Sequence, residues 1–203
     1  MLTERRSPAG SITKLSAQSN GNRDRHRIGR LIRQIVVFAM LGSLMFASKV
    51  IMEILPNIHL VGMLTVLYTV VYRAKAIIPI YVYVFLNGLY AGFATWWVPY
   101  LYVWTVLWGM AMLIPRNIKP KVACVVYPVV CSLHGFAFGI IYSPGQALLF
   151  GYDLKMTLGW IAMGFGFDII MGVSNLCVGF LIFPLSRLLL KLEHSSPYCI
   201  IKN

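Results

Sequence analysis

A short polar stretch between two apolar runs contains the residue types most able to do chemistry. Residues 53–60 read EILPNIHL, so a carboxylate (Glu53), an amide (Asn57) and an imidazole (His59) fall within eight positions. Lys49 precedes Glu53 by four residues, a spacing that places both side chains on one helix face, where they can pair. Ionisable groups next to membrane-length apolar runs favour a ligand or proton site over a purely structural role.

Composition limits the class of protein that surrounds this stretch. The chain has 203 residues, of which 59% are hydrophobic and 12% are charged. This balance excludes an ordinary soluble domain and indicates a polytopic membrane protein. The net charge of +12 does not indicate a nucleic-acid partner, because the basic residues lie between the apolar runs. Residues 1–30 lack the apolar segment of a signal peptide and are predicted to form a disordered, basic cytoplasmic tail.

Six apolar runs have about the length of a membrane span, which is roughly 20 residues. They cover residues 31–55, 58–72, 76–94, 96–114, 120–142 and 167–186, the last preceded by the apolar stretch 157–166. The predicted fold class is therefore an all-α membrane protein with six transmembrane helices. The membrane domain covers residues 31–190, and residues 191–203 form a cytoplasmic C-terminal tail.

The basic residues predict the orientation of these spans. With the N-terminus inside, sixteen of the eighteen Lys and Arg residues lie in or beside inner segments. The positive-inside rule then places both termini in the cytoplasm. We expect the chain to lie in the plasma membrane. The stretch 53–60 lies at the outer face in this orientation.

The remaining intramembrane polar residues all fall in the outer half of the predicted bundle. They are Asn87, His134, Asp168 and Asn175. A channel or a proton relay would tend to have polar groups across the full thickness of the membrane. Polarity on one side predicts a binding cavity that opens outward and is closed below by apolar packing.

An aromatic segment, GFATWWVPYLYVW, enters the fourth span. Trp97 stands at the membrane boundary, where tryptophans are usually interfacial anchors. Tyr100 and Trp104 lie deeper, so they either pack against helices and lipid or stack on a flat ligand.

The other candidate residues also have structural interpretations. Lys49 and Glu53 can extend to the outer interface, and Asp168 can cap the sixth span. The two asparagines can bridge helices, and His134 can be a packed, hydrogen-bonded histidine. No second His or Cys stands at ligand spacing from His134, so no metal site is predicted. The four cysteines form no C-x-x-C pair and are interpreted as small buried hydrophobes.

Small residues recur every four positions on the first span, at Ala39, Ser43 and Ala47. This spacing allows another helix to approach closely, either inside the bundle or from a separate membrane subunit. The chain has no G-x-x-x-x-G-K-[ST] for ATP, no G-x-S-x-G and no H-E-x-x-H, so no catalytic residue or cofactor is predicted.

Three segments in this order, PNIHL, YVFLNGLYAGFATWWVPYLYVW and GWIAMGFGFDIIMGVSN, resemble the substrate-binding S component of energy-coupling factor (ECF) type ABC transporters. The resemblance covers residues 33–190. It implies a protein that captures a vitamin-like substrate from outside and docks on a transmembrane T component driven by two cytoplasmic ATPases. Ala39, Ser43 and Ala47 fit the docking strip of the family, with serine in place of its middle alanine.

The resemblance also carries over to polar positions and implies a substrate range. Asn57, Asp168 and Asn175 fit recurring polar positions of the family. His59 stands where an acid is expected and Met171 where a histidine is common, which implies a shifted ligand preference. Family substrates include riboflavin, thiamine, folate, biotin, pantothenate, cobalamin and queuosine precursors.

Three other functions remain open at this stage. The chain could be a stand-alone small-molecule channel or transporter, or a membrane scaffold or assembly protein. An intramembrane enzyme would need His134 and Asp168 as a general acid–base pair within hydrogen-bond reach. In the transporter interpretation, the loop 143–155 is expected to act as a lid over the cavity.

Overall fold

Helices form almost all of the regular structure. The computed structural model describes residues 9–55, 57–196 and 199–201, with side chains described from residue 23. The elements are α1 (Ala9–Ile51), α2 (Val61–Tyr72), a 3-10 turn (Arg73–Ala76), α3 (Ile77–Ala91), α4 (Trp97–Met112), α5 (Pro120–Phe136), α6 (Phe138–Phe150), α7 (Leu154–Gly179) and α8 (Ile182–His194). No strand occurs in these ranges, and the predicted all-α class is confirmed.

Four helical segments of the described chain are long and apolar enough to cross a membrane. They are Arg23–Ile51, Val61–Ala91, Pro120–Phe150 and Leu154–Gly179. Large apolar side chains cover their outer surface, among them Leu148 and Met163, which are 85% and 78% exposed. Such a surface suits lipid and is rare on soluble monomers. The fold is therefore that of a helical membrane protein.

The short helix α2 lies at the centre of the bundle. All of its residues except Val70 are buried, and it contacts α1, α4, α5, α7 and α8. Its twelve residues span about 18 Å. Thr65 and Thr69 donate their hydroxyls to the carbonyl oxygens of Val61 and Thr65, four residues back, so the buried polar atoms of this helix are paired.

The chain reverses direction directly after α2. Arg73 has φ +55° and ψ −125°, which a side-chain-bearing residue rarely adopts. Its guanidinium donates to the carbonyl oxygens of Met112 and Ile114 at 2.6 and 2.9 Å, and Trp108 donates its indole N–H to the Arg73 carbonyl. These contacts with the end of α4 hold the reversal in place. Helix α3 then runs back along α1, from Val82 beside Gly42 to Tyr90 beside Phe46.

A break divides the fifth predicted span into α5 and α6. The segment 143–150, which was expected to be part of a lid loop, is helical and completes α6. Pro144 has no N–H to offer the Ile140 carbonyl, and the Ser143 hydroxyl donates to that carbonyl instead. The connection to α7 is a tight turn at Gly151, with φ +67°. The expectation that residues 143–155 form a lid loop over the cavity was therefore wrong.

The described parts of both predicted tails contain helix or buried side chains. Helix α1 already begins at Ala9, within the segment expected to be disordered, and its side chains from residue 23 to 28 are exposed. At the other end, α8 continues to His194, and Ile200 is fully buried. The Lys75 ammonium donates to the Ile200 carbonyl, which ties the C-terminal segment to the reversal after α2.

A buried carboxylate joins α8 to α1 and α2. Glu193 is 2% exposed and accepts hydrogen bonds from the Arg33 guanidinium at 2.9 and 3.2 Å. It also accepts from the Tyr72 hydroxyl at 3.2 Å and from the Ile200 N–H at 3.1 Å. One side chain thus connects four separate positions of the chain at the end of the bundle where α2 finishes.

We predict that Glu193→Gln destabilises the protein. The substitution removes the ion pair and puts an amide N–H₂ where two donors point at an oxygen, at a cost of about 1–3 kcal/mol. Thermal unfolding in detergent measures the effect. Lys191→Gln on the exposed face of α8 is the control and should leave the midpoint unchanged; equal midpoints for both variants would contradict the role of Glu193.

Candidate ligand-binding site

A cavity of about 200 Å³ opens where α1 ends and α2 begins. Its polar lining comes from Lys49, Glu53, Asn57, His59 and Tyr100. The apolar lining residues are Met52, Leu55, Ile58, Phe138 and Met171. The structure therefore brings four of the predicted substrate-binding residues (Lys49, Glu53, Asn57 and Tyr100) to one cavity, which lies at the stretch EILPNIHL.

The charged pair on the rim of the cavity forms as the spacing predicts. The Lys49 ammonium lies 3.0 Å from a Glu53 carboxylate oxygen and 5.5 Å from the centre of the Tyr90 ring. Lys49 holds the pKa of Glu53 below its usual range through this hydrogen bond and through its charge. The carboxylate side chain is half exposed, so the pair itself contributes little to stability. Both groups are accessible to a polar ligand.

Asn57 and His59 shape the junction between the two helices. Asn57 has φ +58°, a left-handed conformation that asparagine tolerates better than most residues. The ring of His59 turns inward, and burial, followed by the nearby charge of Lys49, lowers its pKa to about 4. At neutral pH His59 is therefore an uncharged hydrogen-bonding group, and the cavity keeps one positive and one negative charge on its rim.

Trp104 is the centre of an aromatic cluster beneath the cavity. Its ring centroid lies 5.9–6.1 Å from the ring centroids of five neighbours. These neighbours are His59, Tyr83, Tyr100, His134 and Phe138. Three of the five pairs are edge-to-face and two are tilted; the edge-to-face arrangement stabilises aromatic packing beyond the area that it buries. Tyr100, Phe138 and His59 belong both to this cluster and to the cavity lining, so the cavity has an aromatic floor.

Several buried polar atoms around this floor have no hydrogen-bond partner among the described residues. They are His59 Nδ1, Trp104 Nε1 and His134 Nδ1, all in the ring cluster around Trp104. A buried polar atom without a partner costs about 1–3 kcal/mol. Natural proteins carry few such atoms, and a group of them beside a cavity is typical of a place where a ligand or water completes the bonding.

His134 and Asp168 do not form an acid–base pair. The His134 Nε2 atom lies 3.0 Å from the Val103 carbonyl on α4. The Asp168 carboxylate accepts the Gly139 N–H at 3.0 Å, in the first turn of α6. Asp168 thus stabilises the N-terminus of a neighbouring helix rather than that of its own, and it does not line the cavity.

The other predicted ligand contacts also serve helix packing. Asn175 donates to the Cys131 carbonyl at 3.3 Å and lies against Gly62 of α2. The Trp97 indole donates to the Val84 carbonyl at 2.9 Å, which joins α4 to α3. Asn87 is 1% exposed and does not line the cavity.

Sequence reasoning missed part of the lining. Phe138 and Met52 were not singled out, although Phe138 follows His134 by four residues and thus continues the same helical stripe across the break. Met171 was noted only as a departure from a family pattern. Its side chain is buried and contributes sulfur and methyl surface rather than an imidazole.

The predicted docking strip lies on the outside of the bundle. Ala39, Ser43 and Ala47 are all exposed, whereas Gly42 between them faces α3. A Cβ on Gly42 would come within 2.6 Å of Val82, so the glycine side of α1 serves internal packing. Internal packing therefore uses Gly42, whereas the described part of the chain does not cover the face of Ala39, Ser43 and Ala47.

Comparison with known proteins found no relative of this chain. No protein-family model, curated protein or solved structure matches this chain.

We predict that Asp168→Ala lowers the free energy of unfolding by about 1–3 kcal/mol, because the Gly139 N–H loses its buried acceptor. Asp168→Asn keeps an oxygen for this N–H and should cost less. Denaturation in detergent with both variants measures the difference. Equal stability of wild type and Asp168→Ala would show that the cap is dispensable and would reopen a ligand role for this carboxylate.

Proposed function

We propose that this chain is the substrate-binding S component of an ECF-type importer, which captures a small vitamin-like molecule from outside the cell. The observation that supports it best is the cavity at residues 49–59. Opposite charges stand on its rim, aromatic rings form its floor, and buried polar atoms beneath it have no partner in the described chain. The order of the three sequence segments resembling the family supports the same function.

The lining defines the chemistry of the ligand. The Lys49 ammonium suits a carboxylate or phosphate, and the Glu53 carboxylate suits an amine or amide, so a zwitterionic or strongly polar molecule fits the rim. Tyr100 and Phe138 offer ring faces and edges to a flat part of the ligand. His59 and Asn57 add neutral hydrogen-bonding groups between these two zones.

The size of the cavity narrows the range of possible substrates further. Its volume of about 200 Å³ is below the roughly 300–1,000 Å³ of pockets for drug-sized ligands. Among family substrates, a small single-ring or two-ring compound fits this volume better than cobalamin or folate. Eleven of the twelve residues of α2 are buried, and this apolar packing beside the cavity favours a binding component over a stand-alone channel.

Orientation follows from the distribution of charge. We place the stretch 53–60 outside and the reversal at Arg73 inside, with six membrane crossings, both termini in the cytoplasm and the plasma membrane as the location. The reversal within Val61–Ala91 supports counting this segment as two crossings, because α2 and α3 run in opposite directions along α1.

The energy for transport would come from ATP hydrolysis by partner proteins. The exposed strip of Ala39, Ser43 and Ala47 offers a close-approach surface to a transmembrane T component, which two cytoplasmic ATPases would drive. This chain would hydrolyse no ATP itself. Docking on one face of α1 leaves the cavity between α1, α2 and α4 free to hold substrate.

Ligand capture is tested by native mass spectrometry of protein purified from cells grown in rich medium. We expect a stoichiometric vitamin-sized adduct on the wild type and at least tenfold weaker binding for Lys49→Gln, because one charge-assisted hydrogen bond is worth about 1.5–3 kcal/mol. Lys155→Gln, an exposed lysine on α7, is the matched control and should bind normally. A wild type that shows no adduct and no thermal shift with a vitamin panel contradicts the proposal.

Docking is tested by purifying the tagged chain from its own cells and quantifying ATPase subunits. We expect Ser43→Trp to reduce their recovery at least tenfold while the ligand adduct persists, because the large ring prevents close helix contact. Leu148→Trp, at an 85% exposed position of α6, is the control and should retain the subunits. Full recovery with Ser43→Trp would show that the strip faces lipid only.

A further inference from the structure

A second cavity lies at the opposite end of α2 from the ligand-binding site. Its volume is about 220 Å³, and Arg73, Arg116 and Arg187 all contribute to its lining. The three arginines come from three different elements: the 3-10 turn, the loop between α4 and α5, and α8. Tyr127 and Ser186 add two hydroxyls. We call these five residues the arginine cavity.

The arginines are close enough to one another for their charges to interact. Arg116 acts electrostatically on Arg73, and both Arg73 and Arg187 act on the Tyr127 hydroxyl. Arg73 is held by the carbonyl oxygens of Met112 and Ile114, and Arg187 stands 5.8 Å from the centre of the Phe183 ring. Two of the three guanidinium groups are therefore positioned by contacts that do not neutralise them.

Among the residues that the structure describes, no carboxylate lines the arginine cavity. The nearest acidic side chain along the described part of α8 is Glu193, whose two oxygens already accept four hydrogen bonds from Arg33, Tyr72 and Ile200. A cluster of guanidinium groups without acidic neighbours is complementary to a phosphate, which guanidinium binds through paired hydrogen bonds.

An apolar groove continues directly from the arginine cavity. It has a volume of about 510 Å³, and it shares Ile114, Pro115 and Ile118 with the cavity. From there it extends over Met110 and Leu113 of the α4 end and along Val122, Val126 and Val130 of α5. The valines follow one another at a spacing of four residues, so they form a single stripe along the outer surface of the bundle. This stripe has the shape and polarity to hold an acyl chain.

We propose that the arginine cavity and the groove together bind one anionic glycerophospholipid, with its phosphate among Arg73, Arg116 and Arg187 and an acyl chain along the valine stripe. A headgroup site and a chain site in direct contact favour a lipid over a free anion, which would use the cavity alone. The site is separated from the ligand-binding cavity by the length of α2. It does not depend on the identity of the transported substrate.

The proposal is tested with delipidated protein in detergent, titrated with phosphatidylglycerol or phosphatidylcholine of the same chains and followed by native mass spectrometry. We expect at least tenfold tighter binding of one phosphatidylglycerol. The double variant Arg116→Gln/Arg187→Gln should bind phosphatidylglycerol about 100-fold more weakly, at roughly tenfold for each charge-assisted contact between a guanidinium group and the phosphate. Both arginines are exposed, so the variant keeps the contacts of Arg73 that hold the reversal.

The matched control is Lys119→Gln/Lys121→Gln, which removes the same charge from exposed positions beside the cavity without touching its lining. It should bind phosphatidylglycerol within twofold of the wild type. An equal loss in the control, or equal binding of both lipids by the wild type, would overturn the proposal by reducing it to general surface charge.

A further variant separates a lipid from a soluble phosphate. Val122→Trp fills the groove and should weaken phosphatidylglycerol binding at least fivefold, while inorganic phosphate and glycerol phosphate should compete poorly with the lipid on the wild type. If the soluble phosphates compete fully and Val122→Trp has no effect, the cavity is a site for a free anion and the lipid proposal fails. Melting curves in detergent confirm that each variant is folded.

Discussion

The burial of the short helix α2 is the constraint on which the rest of the structure depends. Eleven of its twelve residues are buried, so five other helices must surround it. At about 18 Å, this helix is shorter than the roughly 30 Å apolar thickness of a bilayer. The α-helix therefore stops inside the bundle at both ends of α2. Polar segments are drawn inward there, at His59 on one side and at Arg73 on the other.

These two places use their polar groups differently. At His59 the polar atoms remain incompletely bonded and stand above an aromatic floor built on Trp104, an arrangement suited to a ligand that comes and goes. At Arg73 the backbone is strained, and the side chain is bound to two carbonyl oxygens at the end of α4. The first end leaves polar atoms without partners among the described residues, and the second holds a sharp reversal of the chain in place and carries positive charge.

The sequence predicted side-chain contacts correctly where the residues lie close together along the chain. Lys49 and Glu53 pair as their spacing predicts, and Asn57 joins them because the junction is short. The sequence did not predict contacts between residues from distant segments of the chain. Asp168 follows glycines that suggest its own helix start, yet α7 begins 14 residues earlier at Leu154 and the carboxylate caps α6. The apolar stretch before Asp168 contains no proline, and the helix continues through its glycines.

The sequence by itself determined the helical class, the apolar surface and the segment in which the ligand-binding cavity lies, because composition and helical spacing are local properties. Only the tertiary structure decided which candidates share that cavity. Trp104 meets His59, His134 and Phe138 because α4, the α5–α6 break and the junction pack around one end of α2. The same packing brings three arginines from separate elements to its other end. Contacts between segments that lie far apart in the chain depend on how the helices pack, and no local pattern of residues records that packing.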